Sequence, residues 1–178
     1  MLTHTLRVVS SVVKGYINPP VLDKAAKTVT IPFRCWPVDV DPYFHMNNSK
    51  YLFLAELARW RTFPATGMVH KALSRDGLFF LLADTHIEYK RPINPFQRFV
   101  ISTTITTEKD DKWIYYHHNF LQHPDDVKEG NEPLTFATLK SKSVLKQANG
   151  KTVRPSSMIK DSPFIRDWIM HTEKDDEK

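Results

Sequence analysis

Apolar and polar positions alternate along several stretches of this chain, and they follow helical spacing along others. Residues 28–36 place Val29, Ile31, Phe33 and Cys35 on one side, the period-two pattern of a half-buried strand. Pro32 offers no N–H, which suits an edge position or a bulge. Residues 49–63 hold no Gly or Pro and are apolar around most of a helical circumference. That pattern predicts a buried helix, with Asn48 or Ser49 as N-cap and with Pro64 and Gly67 ending it. A short helical stretch follows at 69–75. Four runs rich in β-branched and aromatic residues come next, at 78–90, 98–108, 113–123 and 134–146. They are separated by Pro, Asn and Asp turn formers and read as strands. The order of strand, long helix and four strands predicts an α+β domain in which a five-stranded antiparallel sheet wraps one helix. A sheet of this kind leaves open edges, and edge-to-edge pairing in a homodimer would cover them.

The ends of the chain differ from this body. Residues 1–27 form a basic segment, with no acid before Asp23. Leu6, Val9, Val13 and Ile17 share one helical face, and Thr3, Arg7, Ser10 and Lys14 share another. This amphipathic start is compatible with a mitochondrial presequence, with docking on a membrane surface or a larger protein assembly, or with a helix packed on its own domain. Asn18-Pro19-Pro20 stops it. The expected domain spans 28–160. Residues 161–178 then form a short helix at 164–169, capped by Ser162 with Pro163 in its first turn, and an acidic tail.

Composition narrows the functional classes. Within 178 residues, the 11 Phe, 6 Tyr and 4 Trp are more apolar surface than a disordered chain carries. The single Cys excludes an internal disulfide framework and any multi-cysteine metal site. The net charge of +5 (25 basic less 20 acidic side chains) fits an anionic ligand, but no basic-aromatic pattern concentrates on one element, so nucleic acid is not expected. His117 and His118 point to opposite faces of one strand, and no metal site is predicted.

Reactive side chains concentrate at residues 39–51, D-V-D-P-Y-F-H-M-N-N-S-K-Y, immediately before the buried helix. The first turn of a helix offers unpaired N–H groups and a positive dipole end, which can hold a carbonyl oxygen as charge develops on it. A nearby carboxylate can activate water or attack the carbonyl, and His45 can orient the site. These parts suit hydrolysis of an activated acyl group. Capping and turn formation explain the same residue types equally well.

The segment from Asp41 through His45, Asn47 and Asn48 to Tyr51, followed by Glu56-Leu-Ala-Arg59-Trp60, resembles the hotdog-fold acyl thioesterases of the 4-hydroxybenzoyl-CoA thioesterase type. It is particularly similar to thioesterase superfamily member six-like proteins, and T-H-I-E-Y-K-R-P-I at 85–93 resembles the next strand of that family. The resemblance implies acyl-CoA or acyl-ACP substrates, no further cofactor, and a homodimer or a tetramer of dimers with sites at the subunit interface. It places the catalytic carboxylate on Asp41, with His45, Asn47 and Asn48 beside it. Tyr43 stands where plant acyl-ACP members carry Asn. The carbonyl would point at the helix start around Asn48, Ser49 and Lys50, next to Tyr51. Phe53, Leu54, Phe79, Phe80 and Leu81 are candidates for the acyl tunnel, or ordinary core. Lys90, Arg91 and Arg98 are candidates for the carrier phosphates. The competing functions are a catalytically inactive subunit that binds acyl groups or holds an assembly together, and a hydratase. The local Asp–His pattern argues against the hydratase.

Overall fold

The computed structural model describes residues 2–72, 77–107, 112–157 and 163–171. Five strands match the alternating runs: β2 (Thr28–Arg34), β3 (Phe79–Tyr89), β4 (Arg98–Thr107), β5 (Trp113–Gln122) and β6 (Thr135–Lys146). Three short strands extend them, β1 (Leu22–Asp23), β7 (Thr152–Val153) and β8 (Ile169–His171). The sheet order is β1-β2-β4-β5-β6-β3, with antiparallel neighbours throughout, and β7 joins β6. The period-two pattern survives in the fold. Ile114, Tyr116, His118 and Phe120 of β5 are buried, while the residues between them are partly or fully exposed. Pro32 pairs with Val100 of β4 and lies past the two residues of β1 on its other side, so its missing donor faces an open edge.

The long helix α2 (Asn48–Thr66) lies across this sheet. Leu54, Ala55 and Ala58 pack with Ile101, Phe120 and Leu139 in one apolar cluster. Each large side chain sealed there contributes about 1.5–3 kcal/mol. The N-cap is Asn47, ahead of the two expected positions, because Met46 is still bridged to Val40 and bonded to Ile93. Pro64 sits inside the last turn instead of ending the helix. The turn closes at Gly67, whose φ of 73° and N–H bonds to Phe63 and Pro64 carbonyls form a left-handed C-cap.

A helix at the N-terminus, α1 (Leu2–Ile17), packs on α2, but not through its most apolar face. Leu6, Val9, Val13 and Ile17 are exposed, with Ile17 at 79%. The buried side runs through Val8, Ser11, Val12 and Gly15. Gly15 explains the choice: a Cβ there would lie 2.3 Å from the Arg61 carbonyl oxygen, so only glycine permits the crossing. A short helix, α3 (Met68–Ala72), follows α2, and the rest of its predicted span lies outside the described residues. At the other end, α4 (Pro163–Trp168) begins at Pro163 and ends one residue before the patterned Ile169. Trp168 is fully buried and donates its indole N–H to Thr103, and Ile169–His171 then adds to β4 in parallel beyond the end of β2. Ser162 and the acidic tail lie outside the described residues. No described helix is long and apolar enough to cross a membrane.

Candidate active site

The loop ahead of α2 is built by its own polar groups. A 3-10 turn (Pro37–Asp39) turns Asp39 inward, where it is 0% exposed. Its carboxylate accepts from the Arg7 guanidinium at 2.6 and 3.4 Å and from the Trp36 N–H at 3.3 Å, and Lys50 Nζ lies 3.9 Å away. The next residues form a tight loop closed by the Val40–Met46 bridge. Within it, Asp41 N–H donates to the His45 carbonyl and Phe44 N–H donates to that of Asp41, each at 3.0 Å. This turn forces Phe44 into the left-handed region at φ 60°.

Asp41 therefore sits in a different environment from Asp39. Oδ1 accepts the Tyr43 N–H at 2.9 Å, and Oδ2 lies 3.4 Å from His45 Nδ1. The Asp41 side chain is 12% exposed and that of His45 is 38% exposed. The Tyr43 ring stacks on His45 at 6.1 Å between centroids. Asn47 caps α2, its side-chain oxygen accepting both the N–H and the hydroxyl of Ser49. Asn48 is the first residue of the helix, and no hydrogen bond among the described residues engages its N–H. Its carbonyl accepts the Tyr89 hydroxyl at 3.2 Å.

A cleft of about 240 Å³ opens here, lined by His45, Asn48, Tyr51, Tyr89, Lys90 and Arg91. Burial pushes the Tyr51 hydroxyl up to about 12, with Cys35 and Tyr89 adding to the shift, and burial raises Tyr89 as well. Both phenols are thus neutral hydrogen-bond donors at neutral pH. Cys35 is no nucleophile, since burial and the nearby Asp39 charge push its thiol up to about 11. Lys90 pairs with Glu88 at 3.3 Å, while Arg91 forms no ion pair among the described residues. No group of His, Cys, Asp and Glu among the described residues is arranged to hold a metal ion.

The predicted site residues are spread over several places. Asp41, His45, Asn47, Asn48, Tyr51, Lys90 and Arg91 gather at or beside the cleft. Ser49, Lys50 and Phe53 face a second groove of about 520 Å³ against α1. Leu54 is sealed in the core. Phe79 and Phe80 line a pocket at the other end of α2, where Phe80 packs between Phe63 and Tyr116, and Leu81 is exposed on β3. Phe53, Leu54, Phe79 and Phe80 thus line no common channel in this chain. Arg98 pairs with Asp125 and Asp126, away from the cleft. Tyr89, within residues 85–93, lines the cleft as well, a place that strand alternation alone does not mark. Arg7 carried no signal at all, because its partner Asp39 is distant in sequence.

Residues 35–169 match the sequence profile of the Thioesterase-like superfamily. Protein THEM6 of Xenopus laevis is 34% identical over 115 residues, covering 65% of this chain and 54% of that protein. Probable thioesterase YBR096W of Saccharomyces cerevisiae is 26% identical over 132 residues, covering 74% of this chain and 51% of that protein. The chain spans about half the length of the curated relatives it matches. Among solved structures, the 1,4-dihydroxy-2-naphthoyl-CoA thioesterase Slr0204 of Synechocystis superposes with a TM-score of 0.63 at 14% identity, covering 79% of this chain and 96% of that one. An Asp-to-Asn mutant of 4-hydroxybenzoyl CoA thioesterase, complexed with 4-hydroxybenzoyl CoA, gives 0.64 at 13%, covering 75% and 97%. At these identities the likeness is one of fold.

Proposed function

This chain belongs to the Thioesterase-like superfamily, and from that premise we propose that it hydrolyses acyl thioesters of coenzyme A or acyl carrier protein at the His45 cleft. One observation carries the reading: His45 and the start of α2, whose Asn48 N–H has no hydrogen-bond partner among the described residues, line the same opening, and Asp41 Oδ2 lies 3.4 Å from the His45 ring. The thioester oxygen accepts the Asn48 N–H, where the helix dipole stabilises the negative charge that develops. Asp41 then either removes a proton from water as it attacks, or attacks the carbonyl carbon itself to give a mixed anhydride that water hydrolyses, freeing the Asp41 carboxylate. In both cases the C–S bond breaks, the thiolate leaves and takes up a proton, and water supplies the oxygen of the free acid. His45 positions the Asp41 carboxylate, and the Tyr89 hydroxyl steadies the helix start. Lys90 and Arg91 lie at the mouth of the cleft, where the carrier's phosphates are bound.

The reading includes a homodimer. β3 is the terminal strand of the sheet, and Phe79, Leu81 and Leu82 are exposed along it. Pairing two β3 edges would cover them and bring a second copy beside each cleft. A second reading, an acyl-binding or structural component of a larger assembly, draws on the exposed apolar side of α1. One experiment separates the two. Thiol release is measured over acyl-CoAs of increasing chain length and over acyl-ACP, alongside light scattering for mass. Release that disappears in Asp41→Asn supports hydrolysis. A dimer that binds acyl-CoA but releases no thiol from any of them supports the structural role.

A further inference from the structure

We infer that the groove between α1 and the β2 edge is a second ligand site, built for a phosphate ester and separate from the His45 cleft. The groove encloses about 340 Å³, within the range of small-molecule sites. Ser10, Ser11 and Lys14 of α1 form one wall, Arg34 and Trp36 another, and Arg61 of α2 the floor. No carboxylate lines it. Arg7 and Arg98 also reach it, but Asp39 holds the first, and Asp125 and Asp126 hold the second.

The other three cations, Lys14, Arg34 and Arg61, form no ion pair among the described residues. Arg34 lies over the Trp36 ring at 5.9 Å. Arg61 is half-buried, and its Nε is sealed from solvent without a hydrogen-bond partner among the described residues. Burial disfavours its charge and draws its pKa below the ordinary arginine value. The unpaired Arg61 donor costs free energy, and so does holding its charge away from water, while Lys14 and Arg34 add positive charge to the same surface. A phosphate dianion relieves both costs, because its oxygens accept from the guanidinium groups and from the two serine hydroxyls. The half-exposed Trp36 indole and the Phe33 ring supply a flat apolar wall for whatever the phosphate is attached to. His123 also lines the groove, but a single imidazole with no carboxylate beside it supplies too few ligands for a metal ion. The α1 wall and Arg34 precede residue 35, where the family match begins, whereas Trp36 and Arg61 lie within the match, so the groove joins matched and unmatched parts of the chain.

The test is calorimetric titration of the full chain at low salt with inorganic pyrophosphate and with 3′,5′-ADP, plus co-sedimentation with phosphatidylcholine vesicles with and without phosphatidic acid. The inference expects saturable one-site binding of pyrophosphate. It also expects that binding to weaken by at least about tenfold in the Lys14→Gln/Arg34→Gln double variant, whose positions are exposed and tolerate replacement. Arg61→Gln should weaken it as well, and Lys151→Gln, outside the groove, should not. Binding retained in the Lys90→Gln/Arg91→Gln double variant separates this site from the phosphate contacts of the His45 cleft. Tight 3′,5′-ADP binding assigns a soluble ester. Phosphatidate-dependent sedimentation that disappears in the double variant assigns a lipid headgroup. Absence of binding of every probe at millimolar concentration overturns the inference, as does binding that the double variant leaves unchanged.

Discussion

Asp39 and Asp41 stand two residues apart in one loop and live in opposite environments. Asp39 is completely buried, and both of its oxygens face Arg7, with Lys50 and a backbone N–H adding to the enclosure. A carboxylate sealed from solvent and held this way is out of reach of a substrate and serves to fasten α1 to the body. Asp41 is held by one backbone N–H and a half-exposed imidazole that lines a cleft at the start of α2. The difference shows that proximity in sequence says little about role: pairing decides whether a buried acid holds structure or remains available to react.

The largest expected effect separates the two acids by activity. Asp41→Asn should lower thioester hydrolysis by about 10³-fold while the thermal midpoint stays within a degree or two of wild type. Equal losses of activity from Asp41→Asn and from a mildly destabilised Asp39 variant, each normalised to folded protein, would erase the distinction.

The next effect reverses the readout. Arg7→Ala leaves the Asp39 charge buried without its main partner, and removing one member of a buried pair costs about 3 kcal/mol. For a chain of this length that corresponds to a drop of roughly 10 °C in the melting midpoint. Turnover per folded molecule should change little, because Arg7 does not line the His45 cleft. A variant with full stability and no turnover would show that Arg7 acts in the chemistry instead.

Strand β2 was legible because its apolar residues recur at every second position, and β3 to β6 because their runs are rich in β-branched and aromatic residues; packing buries alternate residues in β2 and β5, whereas β3 leaves Phe79, Leu81 and Leu82 exposed. The reactive loop was legible because Asp41, His45, Asn47 and Asn48 precede a helix with the right local chemistry. The orientation of α1 was not. Leu6, Val9, Val13 and Ile17 make the more apolar stripe, yet the helix buries Val8, Val12 and Gly15. Two long-range contacts made that choice, the Arg7–Asp39 pair and the approach of Gly15 to Arg61, and periodicity records neither. The acyl-tunnel candidates separated for a related reason. Apolar character marks burial, but it does not say which end of α2 a side chain reaches.

Gly15→Ala tests the second of those contacts. The added methyl meets a backbone oxygen, which cannot rotate away, so α1 must shift. Overpacking of this kind costs up to about 3 kcal/mol, and the better helix propensity of alanine returns about 1, leaving a net loss near 2 kcal/mol. Urea denaturation measures it. Combined with Arg7→Ala, the loss should be less than additive, since the first change already loosens the helix. Strict additivity would mean that the two contacts do not hold one element.

The smallest effect extends the contrast from acids to histidines. His45 faces a carboxylate and solvent, whereas His118 lies inside the sheet with Nδ1 against Thr103 Oγ1 at 2.8 Å and Nε2 without a partner among the described residues. Burial, then the charges of Arg59 and His117, hold the His118 pKa well below its ordinary 6.5. The folded protein therefore keeps this ring neutral while the unfolded chain protonates it. Below pH 6.5 the unfolded state binds the extra proton, so the stabilisation, complete above 6.5, is lost as pH falls towards the folded value. Between pH 7.5 and 5.5 that loss amounts to about 1.4 kcal/mol for a single group. His117, lowered in the same direction by burial and by Lys140, adds to the trend. Urea melts at the two pH values should show it, and His118→Gln should flatten the dependence by most of that amount. An unchanged slope in the variant would mean that His118 takes up its proton in the folded state, and the contrast with His45 would fail.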